Sequence, residues 1–157
     1  MIARRLEDGP CRTYLLASSK SKEAVLVDPV LQKADDYLAL LKAEGLELRL
    51  LVDTHQHADH LSACATLRDR TDAPYLMHAR TAVSCATRRV DDGETVGVGD
   101  IRLEFLHTPG HTMDSLTIVV GDRLLSGDFL FIGSFGAGRL DLPGSDPAVP
   151  YDSLKKL

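Results

Sequence analysis

The chain has 157 residues, 44% of them hydrophobic and 26% charged, which suits one domain closing its own apolar core. Its net charge of −5 excludes a broad nucleic-acid surface, which needs a clustered excess of Lys and Arg. No stretch approaches the ~18 apolar residues of a membrane helix, and Met1–Arg5 runs into Glu7, Asp8, Gly9 and Pro10 instead of the apolar run of a secretory signal; a cytoplasmic protein without membrane or nucleic-acid partners is expected.

Thr13–Ala17 and Ala24–Asp28 are short β-prone runs around the polar stretch 18–22, a hairpin signal, and Asp28-Pro29 stops the second strand. Ala34, Tyr37, Leu38 and Leu41 recur at helical spacing, with Gly45 where a C-terminal cap belongs. Leu48–Val52 reads as a buried strand running into Thr54–His60, followed by a helix over Leu61–Arg70, a strand over Pro74–Met77 and a short irregular helix over 79–89. Thr95–Val98 and Ile101–His107 bracket a turn at Gly99-Asp100, and Leu116–Val120 and Arg123–Ser126 bracket Gly121-Asp122. A glycine-rich loop over 133–144 precedes a helix beginning near Asp146-Pro147. Elements that alternate and then give way to hairpins predict a mixed α/β sandwich rather than a doubly wound parallel sheet. The sequence stops at Leu157 inside that helix, without a cap or closing strand, so a domain over 1–157 incomplete at its C-terminal side is expected.

His55, His57, Asp59 and His60 place four candidate ligands within six residues directly after a buried strand. Side chains two apart on an extended segment point the same way, so His55 and His57 can reach one metal, and a turn is expected to bring Asp59 and His60 round at the start of the next helix. His111, in Thr108-Pro109-Gly110-His111-Thr112, and Asp128, after Gly127, each sit on a turn just past a short strand. Together these form a nitrogen and oxygen set without thiolates, suited to Fe(II), Zn(II) or Mn(II) and unlike a structural Cys-rich zinc site. His78 reads as surface or packing, and His107 as structural or supporting. The three cysteines, Cys11, Cys64 and Cys85, form neither a C-x-x-C pair nor an even framework and read as small packing residues in a reducing compartment.

The motifs THQHADH (54–60), TPGHT (108–112) and GD (127–128) resemble those of the metallo-β-lactamase superfamily, over nearly all of the chain. Within it, AVLVDPV (24–30), GDFLFIG (127–133), GRLDLPGSDP (138–147) and YDSL (151–154) are most similar to the persulfide dioxygenases, cousins of hydroxyacylglutathione hydrolase. The resemblance implies an αββα sandwich and one iron held by His55, His111 and Asp128, with three positions open for substrate sulfur and O₂. His57, Asp59 and His60 match positions that bind a second metal in the hydrolase cousins and orient ligands and water in the dioxygenases. The superfamily usually supplies a further histidine late in the chain, and none follows His111 here.

Three functions are therefore carried forward. The first is an Fe(II) dioxygenase acting on glutathione persulfide or a similar small persulfide, with Arg139 either holding a substrate carboxylate or bracing its loop against Asp141. The second is a zinc hydrolase of the hydroxyacylglutathione hydrolase type with one or two ions, Asp59 orienting the nucleophilic water. The third is a non-catalytic metal-binding module. A flavodiiron oxygen reductase fits less well, because that group carries glutamate where His57 stands. Oligomeric state stays open, a homodimer among the options.

Overall fold

Period-2 and helical runs resolve into ten strands, three α-helices and a short 3-10 turn (Leu31–Lys33) in the computed structural model, which describes residues 1–8, 11–133, 136–138 and 146–157. β1 (Ile2–Asp8), β2 (Cys11–Ala17), β3 (Glu23–Val27), β4 (Glu47–Val52), β5 (Tyr75–His78) and β6 (Arg88–Val90) form one sheet in that order. Its first three strands are antiparallel neighbours, and from β3 to β6 the pairing is parallel. β7 (Glu94–Val98), β8 (Ile101–His107), β9 (Leu116–Val120) and β10 (Arg123–Leu125) make a second, antiparallel sheet in the order β10-β9-β8-β7. The mixed sandwich expected from element order is thus observed.

Two cores follow from strand alternation. Val25, Val27, Leu50 and Val52 face Leu103, Phe105, Ile118 and Leu125 between the sheets. Leu15, Leu26, Leu51 and Met77 face outward, where Tyr37 and Leu41 of α1 (Ala34–Glu44) and Cys64 and Leu67 of α2 (Cys64–Thr71) cover them. A register shift between β3 and β4, pairing Ala24 with Leu48 but Val25 with Leu50, leaves Arg49 as the extra residue. The irregularity sets the phase of β4 just before the segment that carries the histidines. That segment is then clamped to the end of β3: Leu31 N–H donates to Leu61 O, Ala63 N–H donates to Pro29 O, and Val30 pairs with Ser62.

The structure departs from the sequence reading in three places. β1 was not anticipated; its charged residues hide an edge strand that pairs along its whole length with β2. No helix occupies 79–89: that stretch is turns leading into β6, a three-residue strand on the rim of the sheet. α2 starts at Cys64, so Asp59 and His60 lie in the loop before it rather than on its first turn. The last helix, α3 (Ala148–Leu154), begins just after Asp146-Pro147, where the sequence reading put it. It packs on the Pro109–His111 turn, where Ser153 Oγ donates to Pro109 O (2.7 Å). No described helix is long and apolar enough to cross a membrane.

Phe105, fully buried between the sheets, offers a direct test of this packing. Phe105→Ala should cost about 3–5 kcal/mol, read as a lower midpoint in urea unfolding at unchanged slope.

Candidate metal centre

His55, His111 and Asp128 each sit just past the end of a strand. β4 delivers His55, the turn after β8 delivers His111, and the turn after β10 delivers Asp128. The structure brings these three together, with one donor atom from each within 4.8 Å of the others. The His55 and His111 rings meet edge to face at 5.0 Å, and His111 Nε2 lies 3.8 Å from Asp128 Oδ2. His55 and Asp128 line a cavity of about 590 Å³ whose wall also includes His57, Leu130 and Phe131.

Asp28, which the sequence offered only as a strand terminator, organises the floor. It is buried, and its backbone takes the left-handed conformation at φ 51°. Its carboxylate accepts from Thr54 N–H (2.7 Å) and from the Thr54 hydroxyl (2.9 Å). With the hydroxyl proton committed to Asp28, the 2.9 Å contact between Thr54 Oγ1 and His55 Nδ1 must be donated by the imidazole. That fixes the His55 tautomer and leaves Nε2 as a lone pair for a cation. Burial, and next the neighbouring His57 charge, pull His55 down to about 4, so it is neutral and ligand-competent at physiological pH.

His57 is held differently. Its Nε2 is 3.3 Å from Asp28 and 3.8 Å from Asp53, both buried carboxylates. Burial alone would depress His57, but the hydrogen bond and charge of Asp28, then Asp53, lift it to about 9. Asp28 itself is held below its ordinary range because the His57 hydrogen bond and charge outweigh burial, whereas burial and then the Asp28 charge push Asp53 upward. Asp53 accepts from Tyr75 (2.6 Å), Ser62 (3.0 Å) and the Cys64 thiol (3.3 Å).

His57, Asp59 and His60 form a second group whose donor atoms also lie within 4.8 Å, and the His57 and His60 rings are 4.2 Å apart. Asp59 stands at its outer edge, its side chain 65% exposed and 3.0 Å from His60 Nδ1. A third group, Asp28, Asp53 and His57, is the bracing network just described.

The loops leave little room to shift. Gly127 takes φ 50°, and a Cβ there would run into Thr54 Oγ1, so the Asp128 turn packs directly on the residue that orients His55. The His111 turn is closed by Thr108 N–H to Ser115 O (2.9 Å) and joined to the His55 segment by Leu116 N–H to Thr54 O (2.8 Å). Asp114, buried and also missed, accepts from Thr112 Oγ1 (2.7 Å) and Gln56 N–H (3.4 Å). His78 is buried and stacks face to face on His107 at 3.8 Å, which selects packing over surface, the two options read from sequence. Arg139 and Asp141 lie outside the described residues.

The residues present fit a metal ion. His55 is presented as a neutral Nε2 ligand, and His111 Nδ1 is buried with no hydrogen-bond partner among the described residues. Two imidazoles and a carboxylate from three separate turns are a donor set for a divalent first-row metal, with no cysteine in the group among the described residues.

A family model described as the metallo-beta-lactamase superfamily matches residues 6–157. The mitochondrial persulfide dioxygenase ETHE1 of Homo sapiens is 38% identical over 144 residues, covering 90% of this chain and 56% of that protein. The hydroxyacylglutathione hydrolase of Hahella chejuensis is 37% identical over 143 residues, 88% of this chain and 53% of that protein. The crystal structure of ETHE1 from Myxococcus xanthus superposes with a TM-score of 0.92 at 39% identity, covering 100% of this chain and 69% of that one. The chain thus spans little more than half the length of these two curated relatives.

Asp28→Asn should weaken metal binding about 10- to 100-fold in competition with a chelator, because it loosens the relay through Thr54 to His55. In metal-free protein the raised His57 contributes stability that is complete below its unfolded value near 6.5 and is lost as pH climbs through about 9. Unfolding free energy should therefore fall over that alkaline window, and Asp28→Asn should flatten the slope.

Proposed function

The chain belongs to the metallo-beta-lactamase superfamily, and we propose that within it this protein is a mononuclear non-heme Fe(II) persulfide dioxygenase, oxidising glutathione persulfide or a similar small persulfide. The overall change consumes one O₂ and one water and yields the thiol, sulfite and two protons. One observation carries the reading: donor atoms of His55, His111 and Asp128 converge beside the cavity that His55 and Asp128 line, while the Nε2 of His57, their neighbour, is engaged by Asp28. Two histidines and one carboxylate are the facial set of oxygen-activating iron sites. The likeness to the two ETHE1 proteins supports the same choice.

His55, His111 and Asp128 would hold the iron, which when bound would supply the oxygen-activating chemistry and bring persulfide and O₂ together. The chain does the positioning. Asp28 and Thr54 hold the His55 ring, the 108–115 turn holds His111, and Gly127 seats the Asp128 turn against Thr54. Leu130 and Phe131 give the cavity an apolar wall beside the ligands, which limits water at the reacting sulfur. His57, protonated between two carboxylates, is a fixed positive charge near developing negative charge on oxygen.

A second reading rests on the other donor group. His57, Asp59 and His60 could hold a second ion, giving a zinc hydrolase in which Asp59 orients water between two metals. The exposure of Asp59 and the engagement of His57 by Asp28 favour the first reading.

Iron-loaded protein should consume O₂ with glutathione persulfide and release sulfite. Cleavage of S-lactoylglutathione without O₂ uptake would establish the hydrolase instead. His111→Ala and Asp128→Ala should each abolish iron retention, whereas His60→Ala should lower turnover and keep most of the iron, as read by elemental analysis. Equal iron loss in all three would mean that a wider ligand set holds the metal.

A further inference from the structure

Arginines stand at the mouth of the cavity where strand alternation calls for core residues. On β2, Tyr14 and Leu16 face the space between the sheets, and Arg12 continues the same row one step further toward the sandwich edge. On β10, Leu125 faces the same core, and Arg123 is its inward-facing neighbour two residues earlier. Both arginines line the cavity that holds His55 and Asp128, from opposite sheets. An inward-facing charge at the rim of a sandwich forgoes apolar burial, which calls for a reason other than packing.

Their electrostatic surroundings differ. Arg123 Nε lies 3.5 Å from Asp122, and its Nη1 donates to Ala3 O at 3.4 Å, so it is partly engaged. Arg12 is exposed and makes no ion pair or side-chain hydrogen bond with any described residue. The acidic groups on the cavity wall are otherwise committed: Asp28 to Thr54 and His57, Asp59 to His60, and Asp128 faces His111. Among the described residues of the cavity wall, Arg12 is the cation available to an incoming ligand, and a guanidinium suits carboxylate and phosphate oxygens alike.

Resting on the dioxygenase reading above, we propose that Arg12, seconded by Arg123, recognises a negatively charged tail on the substrate. A substrate with its sulfur at the ligand cluster extends its tail toward β2 and β10, so the preferred class is an anionic persulfide, with carboxylate or phosphate in its carrier. A neutral carrier gains nothing from this wall.

The test uses the full chain with three persulfides: glutathione persulfide for carboxylate, coenzyme A persulfide for phosphate, and 2-mercaptoethanol persulfide as the neutral control. Arg12→Gln should lower kcat/KM for the charged substrates about tenfold, the loss of one charge-assisted hydrogen bond, chiefly through KM. The neutral substrate should stay within about twofold, and Arg12→Lys should restore much of the loss. Which charged substrate suffers more identifies the tail. Calorimetry with glutathione itself needs no turnover: Arg12→Gln should weaken binding by a similar factor and reduce its salt dependence. Glu7 lies opposite Arg12 in the β1–β2 register. If Arg12 served only that strand pair, Arg12→Gln would lower the melting temperature and change all three substrates equally, and the proposal would fall. Were none of the persulfides oxidised, the dioxygenase reading would fail by itself. Calorimetry would still decide Arg12, since equal glutathione affinity in both proteins overturns it.

Discussion

One buried carboxylate sets the geometry on which the rest depends. Asp28 leaves β3 in a left-handed backbone conformation and accepts from the Thr54 amide, the Thr54 hydroxyl and His57. A lone buried carboxylate is costly, and here that cost is offset by donors from the next parallel strand's loop. The charge is therefore a device for fixing where the end of β4 goes relative to the end of β3. His55 inherits its orientation through Thr54, and Thr54 in turn is the surface against which Gly127 and the Asp128 turn pack. Two of the three convergent ligands thus trace their positions to one residue that is not itself among them.

The second buried acid has the opposite task. Asp53 sits on the far side of His57 and is tied by Tyr75 to β5 and by Ser62 and Cys64 to the start of α2. Burial and the Asp28 charge push it up while His57 and Thr54 hold Asp28 down, so the environment separates two neighbouring carboxylates. The base of the 53–63 segment is braced from both sides, and its tip, with Asp59 exposed, is not. This gradient separates the two donor groups. The one that includes His55 rests on strand ends, and the one that includes Asp59 rests on a loop tip, where less holds a ligand in place before a cation arrives.

What the sequence disclosed follows the range of the interactions. His55, His57 and His60 announce themselves because a strand and a dense ligand run are adjacent in the chain. His111 and Asp128 were legible as turns after strands that share their pattern. Asp28 was not, since its partner Thr54 lies 26 residues away and nothing local separates a bracing Asp-Pro from a strand stop. Asp53 and Asp114 were missed for the same reason: both bind residues brought near only by the fold. Among the elements, β1 escaped because Arg4, Arg5, Glu7 and Asp8 obscure alternation on an edge strand that needs no second apolar face. The stretch 79–89 carries residues that tolerate a helix, yet its backbone is spent on connecting β5 to a parallel neighbour on the same sheet.

The bracing also bears on how the site meets its metal. The His111 turn is closed by its own backbone, pinned by Ser153 from α3 and bridged by His107, whose Nε2 contacts Met113 O at 2.9 Å. His107 is backed by the buried ring of His78, which burial and next its neighbour's charge keep neutral, with a value near 4. None of these contacts involves a donor atom that a metal would use. The support of the His55 ring and of the His111 backbone turn thus comes from the polypeptide, and a cation entering the cluster needs to order the His111 ring and Asp128, whose side chain is 43% exposed. A carboxylate with freedom on an otherwise rigid frame can adjust its approach as a ligand while the His55 imidazole stays fixed. That division of labour leaves the cavity face of the site open without loosening the part that holds the ion.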